Sequence, residues 1–256
     1  MRNSRLIVSA CACVFALLGL SILGTPRQQA YRPQADKPHI SNETQALRVA
    51  SFTDLGGAGQ KHTFEIIVEN VSDRPVVEYT FSKRDGSALT TSGATTGWAL
   101  APGESDVVKA ELEGEESLTL AALLFADDTG QGDAGEVARM KDYRKGVEEQ
   151  YLRALPMLRE AKNAPASAEA KDVSDALSRR LASLPVPAVG EGNSAGKAAG
   201  LHDARQFIEV QVGAAEGRPD VSDMLPEALH AKINRALDHV EKSLTKFHEG
   251  AAGRQP

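Results

Sequence analysis

The sequence predicts an α+β chain: an apolar N-terminal segment, then an antiparallel β-sandwich, then an α-helical C-terminal region. Three observations predict it. Residues 6–24 hold no charge and follow a start that carries Arg2 and Arg5. Between residues 45 and 130, apolar residues recur with a period of two, in short runs separated by Gly, Pro, Asp and Ser. From residue 131 the period changes to 3.6.

The first segment, residues 1–25, sets the expected compartment. Its 19-residue apolar run, 6–24, is long for the core of a signal peptide and nearly long enough to cross a bilayer as a helix. Larger residues stand at the −3 position of the nearest cleavage sites (Ile22, Leu23, Gln28), which favours an uncleaved anchor over a cleaved signal. With Arg2 and Arg5 inside, the rest of the chain faces outward. The expectation is an exported protein, membrane-anchored through residues 6–24, or periplasmic or secreted if the segment is removed. The only cysteines, Cys11 and Cys13, lie within this run, so thiol nucleophiles, disulfides and Cys-based zinc sites are excluded from the exported part. Beyond residue 25 the chain carries 27 basic and 35 acidic residues, which argues against nucleic acid as a partner.

Residues 26–44 are rich in Pro, Gln and charge and read as a linker or stalk. The sandwich is expected over 45–130. Its inward residues are Leu47 and Val49; Phe64, Ile66 and Val68; Val77, Tyr79 and Phe81; Val108, Ala110 and Leu112; and Leu118, Leu120, Ala122 and Leu124. Glu65 and Glu78 fall on the alternate, solvent-facing positions. Six or seven strands fit between the turns at 56–59, 72–75, 84–86 and 102–104. Trp98, the single tryptophan, reads as a core plug.

A helical extension is expected over 131–184. Its first helix shows Val137, Met140, Arg144, Val147, Tyr151, Leu155 and Leu158 on one face, with Asp133 as N-cap and Glu136 placed for a capping box. Pro156 should kink or end it. A second helix carries Val173, Leu177, Leu181 and Leu184. Residues 185–200 read as a flexible linker, and 201–256 as the C-terminal helices. One of these carries Leu201, Ala204, Ile208 and Val212. The other carries a stripe from Leu225 to Phe247, capped by Ser222 or Asp223, that must be buried on its own chain or on a protein partner.

Three motifs invite chemistry. Gly192-Asn-Ser194-Ala-Gly196 fits the G-x-S-x-G of a serine hydrolase, with Asp203 or Asp223 and His230 or His239 downstream, but that elbow needs a strand before it, and Val186-Pro187 follows a helix. Gly196-Lys197 lacks both the upstream Gly and the Ser or Thr of a phosphate loop. Asp127, Asp128 and Asp133 put carboxylates on one turn. As an EF-hand the loop would need Glu where Ala138 stands, so only an irregular calcium site remains, and the simpler reading is a turn whose last Asp caps a helix. None of the six histidines shows zinc-protease spacing.

Asn70-Val-Ser-Asp-Arg-Pro-Val76 and Leu100-Ala-Pro-Gly-Glu-Ser105, running on through Phe125-Ala-Asp-Asp-Thr-Gly-Gln-Gly-Asp133 into a helix, resemble exported bacterial proteins that have one immunoglobulin-like domain and a helical extension. The resemblance spans roughly 45–160. It implies an immunoglobulin-like fold and an extracytoplasmic place, and brings no catalytic residues, cofactor or metal. The functional expectation is therefore a non-catalytic extracytoplasmic interaction or structural module. The alternatives are a hydrolase using Ser194 or a calcium-dependent adhesion module using the 127–133 loop.

Overall fold

The computed structural model describes residues 39–58, 61–113, 116–165, 168–186, 194–213 and 226–252. The 1–25 segment, most of the 26–44 stalk, the Ser222 and Asp223 caps and Leu225 lie outside the described residues. Within them the chain is mixed α+β, with eight strands and four helices.

The strands are β1 (Ile40–Asn42), β2 (Leu47–Ala58), β3 (Lys61–Asn70), β4 (Val76–Lys83), β5 (Ala88–Ser92), β6 (Ser105–Glu113), β7 (Leu118–Phe125) and β8 (Gly130–Gly132). They make two sheets. One has the order β1-β7-β4-β5, with β8 also on β7; the other has the order β2-β3-β6. Phe64, Ile66 and Val68 of β3, Tyr79 and Phe81 of β4, Ala110 and Leu112 of β6, and Leu118 and Leu120 of β7 share one core between them. The Tyr79 hydroxyl crosses it to donate to Asp106 Oδ2 at 2.7 Å, tying β4 to β6. Asn70, fully buried, joins the two turns of the quoted motifs. Its Nδ2 donates to the Arg74 and Leu100 carbonyls, and its Oδ1 accepts from Ser72.

Five expectations about the strands are corrected. β1 lies inside the range read as stalk, because pairing to Leu118–Leu120 replaces the apolar period that three residues lack. That pairing is parallel, so the first sheet is mixed rather than antiparallel. In β7 a register shift between Ala122 and Leu120 reverses the facing of the strand. Leu118 and Leu120, then Leu123 and Phe125, enter the inter-sheet core, while Ala122 and Leu124 point the other way, onto Val137 and Met140 of a helix. In β4 the register shift after Val76 puts Val76 in the inter-sheet core, while Val77, expected to face inward, packs beside Val137 on the helix side. Finally, Glu78 is buried, at 1% exposure, because the outer face of β4 is covered as well as the inner one.

The cover is helical: α1 (Ala134–Lys162), α2 (Ala170–Ala182), α3 (Ala195–Val212) and α4 (Pro226–Ala252). Asp133 caps α1 by accepting from Glu136 N at 2.8 Å. Glu136 does not return the bond, since its carboxylate pairs with Arg139 and the Asp133 N–H goes to the Ala121 carbonyl. α1 does not stop at Pro156. Leu158 and Ala161 beyond it are held in the helical core with Leu177 and Leu181 of α2. The stripe of α4, Leu229, Ile233, Ala236, Val240 and Leu244, is buried in the same core.

The largest correction concerns residues 185–200. Residues 195–200 are not linker but the first turns of α3, and Ser194 is its N-cap, accepting from Lys197 N at 3.2 Å. The glycines are there for close approach. A Cβ on Gly196 would meet the Arg139 carbonyl oxygen, one on Gly200 that of Tyr143, and one on Gly146 of α1 that of Lys197. Backbone lies on backbone at this crossing. Gly200→Ala, which in a free helix gains about 0.5–1 kcal/mol, is therefore expected to cost about 1–3 kcal/mol through overpacking. Denaturant midpoints with an unchanged slope check it, and a stabilised variant contradicts the crossing.

Candidate functional site

The site lies where the β5–β6 connection enters the helical layer. Gly93 N donates to the Val77 carbonyl and Gly97 N to the Gly93 carbonyl, closing a tight turn over residues 93–97. The turn carries Ala94 into the helical core, where it is 4% exposed. The Thr95 carbonyl becomes the common acceptor there: Tyr151 Oη of α1 donates to it at 2.9 Å, and His239 Nε2 of α4 lies 2.6 Å from it. Lys246 Nζ of α4 donates to the next available carbonyl, Gly97, at 2.9 Å. Burial holds His239 below its ordinary 6.5 against the pull of the Thr95 carbonyl, so the ring is neutral with Nε2 as the donor. Burial also raises the Tyr151 hydroxyl well above its ordinary value and keeps it a donor.

Deeper under α1 lies a buried polar row on the outer face of β4 and β5. Ser92 Oγ donates to Glu78 Oε2 at 3.1 Å. Thr80 and Thr90 share a hydrogen bond of 2.9 Å, and Arg139 reaches Thr80 Oγ1 at 3.2 Å. Burial pushes Glu78 up to about 7, opposed by Ser92 and by the charges of Arg139 and Arg144. Tyr143, also raised by burial, donates to Asp203 of α3 at 3.0 Å.

Beside the clamped turn opens a cavity of about 210 Å³, walled by Val77, Ala94, Trp98 and Phe247, with the charged Arg144, Lys246 and Glu249 also in its lining. Trp98 is half-buried. It touches the inter-sheet core through Tyr79, with ring centroids 5.9 Å apart, and lines the cavity with its remaining surface, so it is more than a core plug. Arg144 is the cation that interrupts the apolar stripe of α1. Its side chain is 9% exposed, its Nε is 3.1 Å from Asp128 Oδ1, and its guanidinium lies 5.0 Å over the Phe247 ring.

The motif residues are placed as follows. Ser194 caps α3, and neither Asp203 nor His230 nor His239 bonds to it; Asp203 is engaged by Tyr143 and His202, His239 by Thr95, and Asp223 lies outside the described residues. Asp127 is paired with Arg74, Asp128 with Arg144, and Asp133 is the α1 cap. Burial works to raise Asp127, but the Thr129 N–H and hydroxyl and the Arg74 guanidinium outweigh it and hold its carboxyl low. Among the described residues no three His, Cys, Asp or Glu side chains converge to hold a metal ion, so the three aspartates are not brought together as calcium ligands. The sequence offers no functional reading of Glu78, Tyr151 or Lys246, and singles out His239 only as a triad partner for Ser194, a role the structure does not give it. The one available signal was Arg144, a cation on an otherwise apolar helix face. Compared with known protein families, curated proteins and solved structures, the chain matches none.

Two predictions follow from this geometry. Tyr151→Phe removes one donor from the Thr95 carbonyl and is expected to cost about 1 kcal/mol; an unchanged urea midpoint would show that the turn is not clamped. The second concerns pH. Because Glu78 is raised from 4.5 to about 7, the folded chain keeps a proton there that the unfolded chain has released. Its contribution is full below pH 4.5 and is lost as pH rises through about 7, a fall of roughly 3 kcal/mol at about 1.4 kcal/mol per tenfold change in acidity. His239 acts with the opposite sign, its contribution being lost as pH falls below 6.5. Glu78→Gln, neutral throughout, should therefore gain stability over the parent between pH 4.5 and pH 8 in paired urea titrations. A difference independent of pH contradicts the buried carboxyl.

Proposed function

We propose that the protein is an exported, non-catalytic interaction or structural module: an immunoglobulin-like sandwich whose outer face is covered by its own helices, held to the membrane by residues 6–24 or released if that segment is cleaved. The observation that carries this reading is the apolar run 6–24 behind Arg2 and Arg5. The seam where the β5–β6 connection meets α1 and α4 supports the non-catalytic half, because its donors are spent on holding the 93–97 turn: Tyr151 and His239 on Thr95, and Lys246 on Gly97. Among the described residues no helix is long and apolar enough to cross a membrane, so membrane attachment rests on residues 6–24, outside them. A protein partner at the C-terminal helix would meet the outward face of α4, with Arg235, Asp238 and Lys242, since the apolar stripe is packed inside.

The test is location. Expressed at full length in bacteria, the chain should fractionate with membrane or outside the cytoplasm and be digested when protease is added to intact spheroplasts. Deletion of residues 1–25 should retain it inside. Recovery of the full-length chain as a soluble, protease-protected cytoplasmic protein would overturn the reading.

A further inference from the structure

We propose that the seam cavity and a second cavity beside it form one binding site for a small aromatic carboxylate. The second cavity, about 220 Å³, is lined by Lys141, Lys145, Glu148 and His248, and it shares Arg144 and Phe247 with the first. The Arg144–Phe247 stack is thus the partition between an apolar chamber and a polar one.

The two chambers differ in what they offer. The apolar one presents Trp98, Phe247, Val77 and Ala94, and at about 210 Å³ it exceeds the ~150 Å³ cavity that holds one benzene ring. A substituted ring fits it, and Trp98 and Phe247 supply aromatic walls for stacking. The polar chamber supplies cations. Across both, Lys141, Arg144, Lys145 and Lys246 stand against Asp128, Glu148 and Glu249. This is a locally positive spot on a chain of net charge −6. Four of these charges are already engaged: Asp128 with Arg144, Lys145 with Asp142 at 3.5 Å, and Glu148, which lies 3.4 Å from His248 Nε2. Lys141 has no ion-pair or hydrogen-bond partner among the described residues. It is the cation left for an incoming anion. Lys246 spends one of its three protons on the Gly97 carbonyl and keeps two. A ring in the first chamber with a short carboxylate arm passing the Arg144–Phe247 partition would use both halves, whereas a neutral ring would use one. This site and ligand go beyond export, and each reading fails or stands without the other.

Trp98 is the only tryptophan in the chain and it lines the site, so its emission reports occupancy directly. The purified full chain is titrated with 3-phenylpropanoate, with 3-phenylpropanamide, and with acetate. The expected result is a saturable change in Trp98 emission with the carboxylate, at least tenfold weaker binding of the amide, and no change with acetate at the same concentrations. Lys141→Gln, at a half-buried position and with an unliganded emission matching the parent, should weaken the carboxylate several-fold and leave the amide unaffected. No saturable change with 3-phenylpropanoate, equal binding of acid and amide, or an unaltered Lys141→Gln titration would each overturn the proposal.

Discussion

β7 has no face that tolerates water. Its sequence, Leu-Thr-Leu-Ala-Ala-Leu-Leu-Phe, is buried on both sides from Leu120 onward. Leu118, Leu120, Leu123 and Phe125 go to the inter-sheet core and Ala122 and Leu124 to α1. A strand of this kind sits in the middle of a layered structure and needs a second cover. The helical layer is that cover. Once α1 lies across β7 and β4, the outer face of β4 is also shut off, and Glu78 and Thr80 become interior polar groups that need partners.

The position of α1 is set from both ends of this contact. β8 pairs with β7 and ends on Gly132, whose left-handed φ of 92° leads directly into the Asp133 cap, so the helix starts at a fixed point on the sheet. On its far side α1 meets α3 through Gly146, Gly196 and Gly200, which bring the two backbones into contact. The 93–97 turn then fills the remaining angle between sheet and helices, and its Thr95 carbonyl takes donors from α1 and α4 together. The cavity is the space this turn leaves beside Trp98. The same construction that holds the layers together also places an aromatic wall and Arg144 side by side.

Much of this was legible in the residues. The alternation in β3 and β6, the Asp133 cap and the stripes of α2, α3 and α4 all follow from periodicity and end chemistry, and the observed burial agrees with them. The failures share a cause, which is that local patterns assume one buried face. Glu78 alternates correctly with Tyr79, but its outward side faces a helix rather than water, and the register shift after Val76 puts Val77 on that side too. The parity of β7 turns over at a register shift that leaves no mark in an unbroken apolar run. Gly196 and Gly200 read as loop because glycine ordinarily breaks helices, and only the partner backbone explains them. β1 carries too few residues for a period and exists through its pairing alone. The seam residues come from strands, a turn and two helices far apart in the chain, so no local motif announces them.

The central claim is that sheet and helices fold as one unit through this seam. Equilibrium urea unfolding followed simultaneously by Trp98 emission and by helical circular dichroism tests it most directly, because the single tryptophan reports the seam and the ellipticity is dominated by the four helices. The account predicts one transition, with the same midpoint and slope from both probes. A helical signal lost at lower urea than the Trp98 signal, or persisting beyond it, would contradict it and make the helices an appendage rather than the second cover of β7.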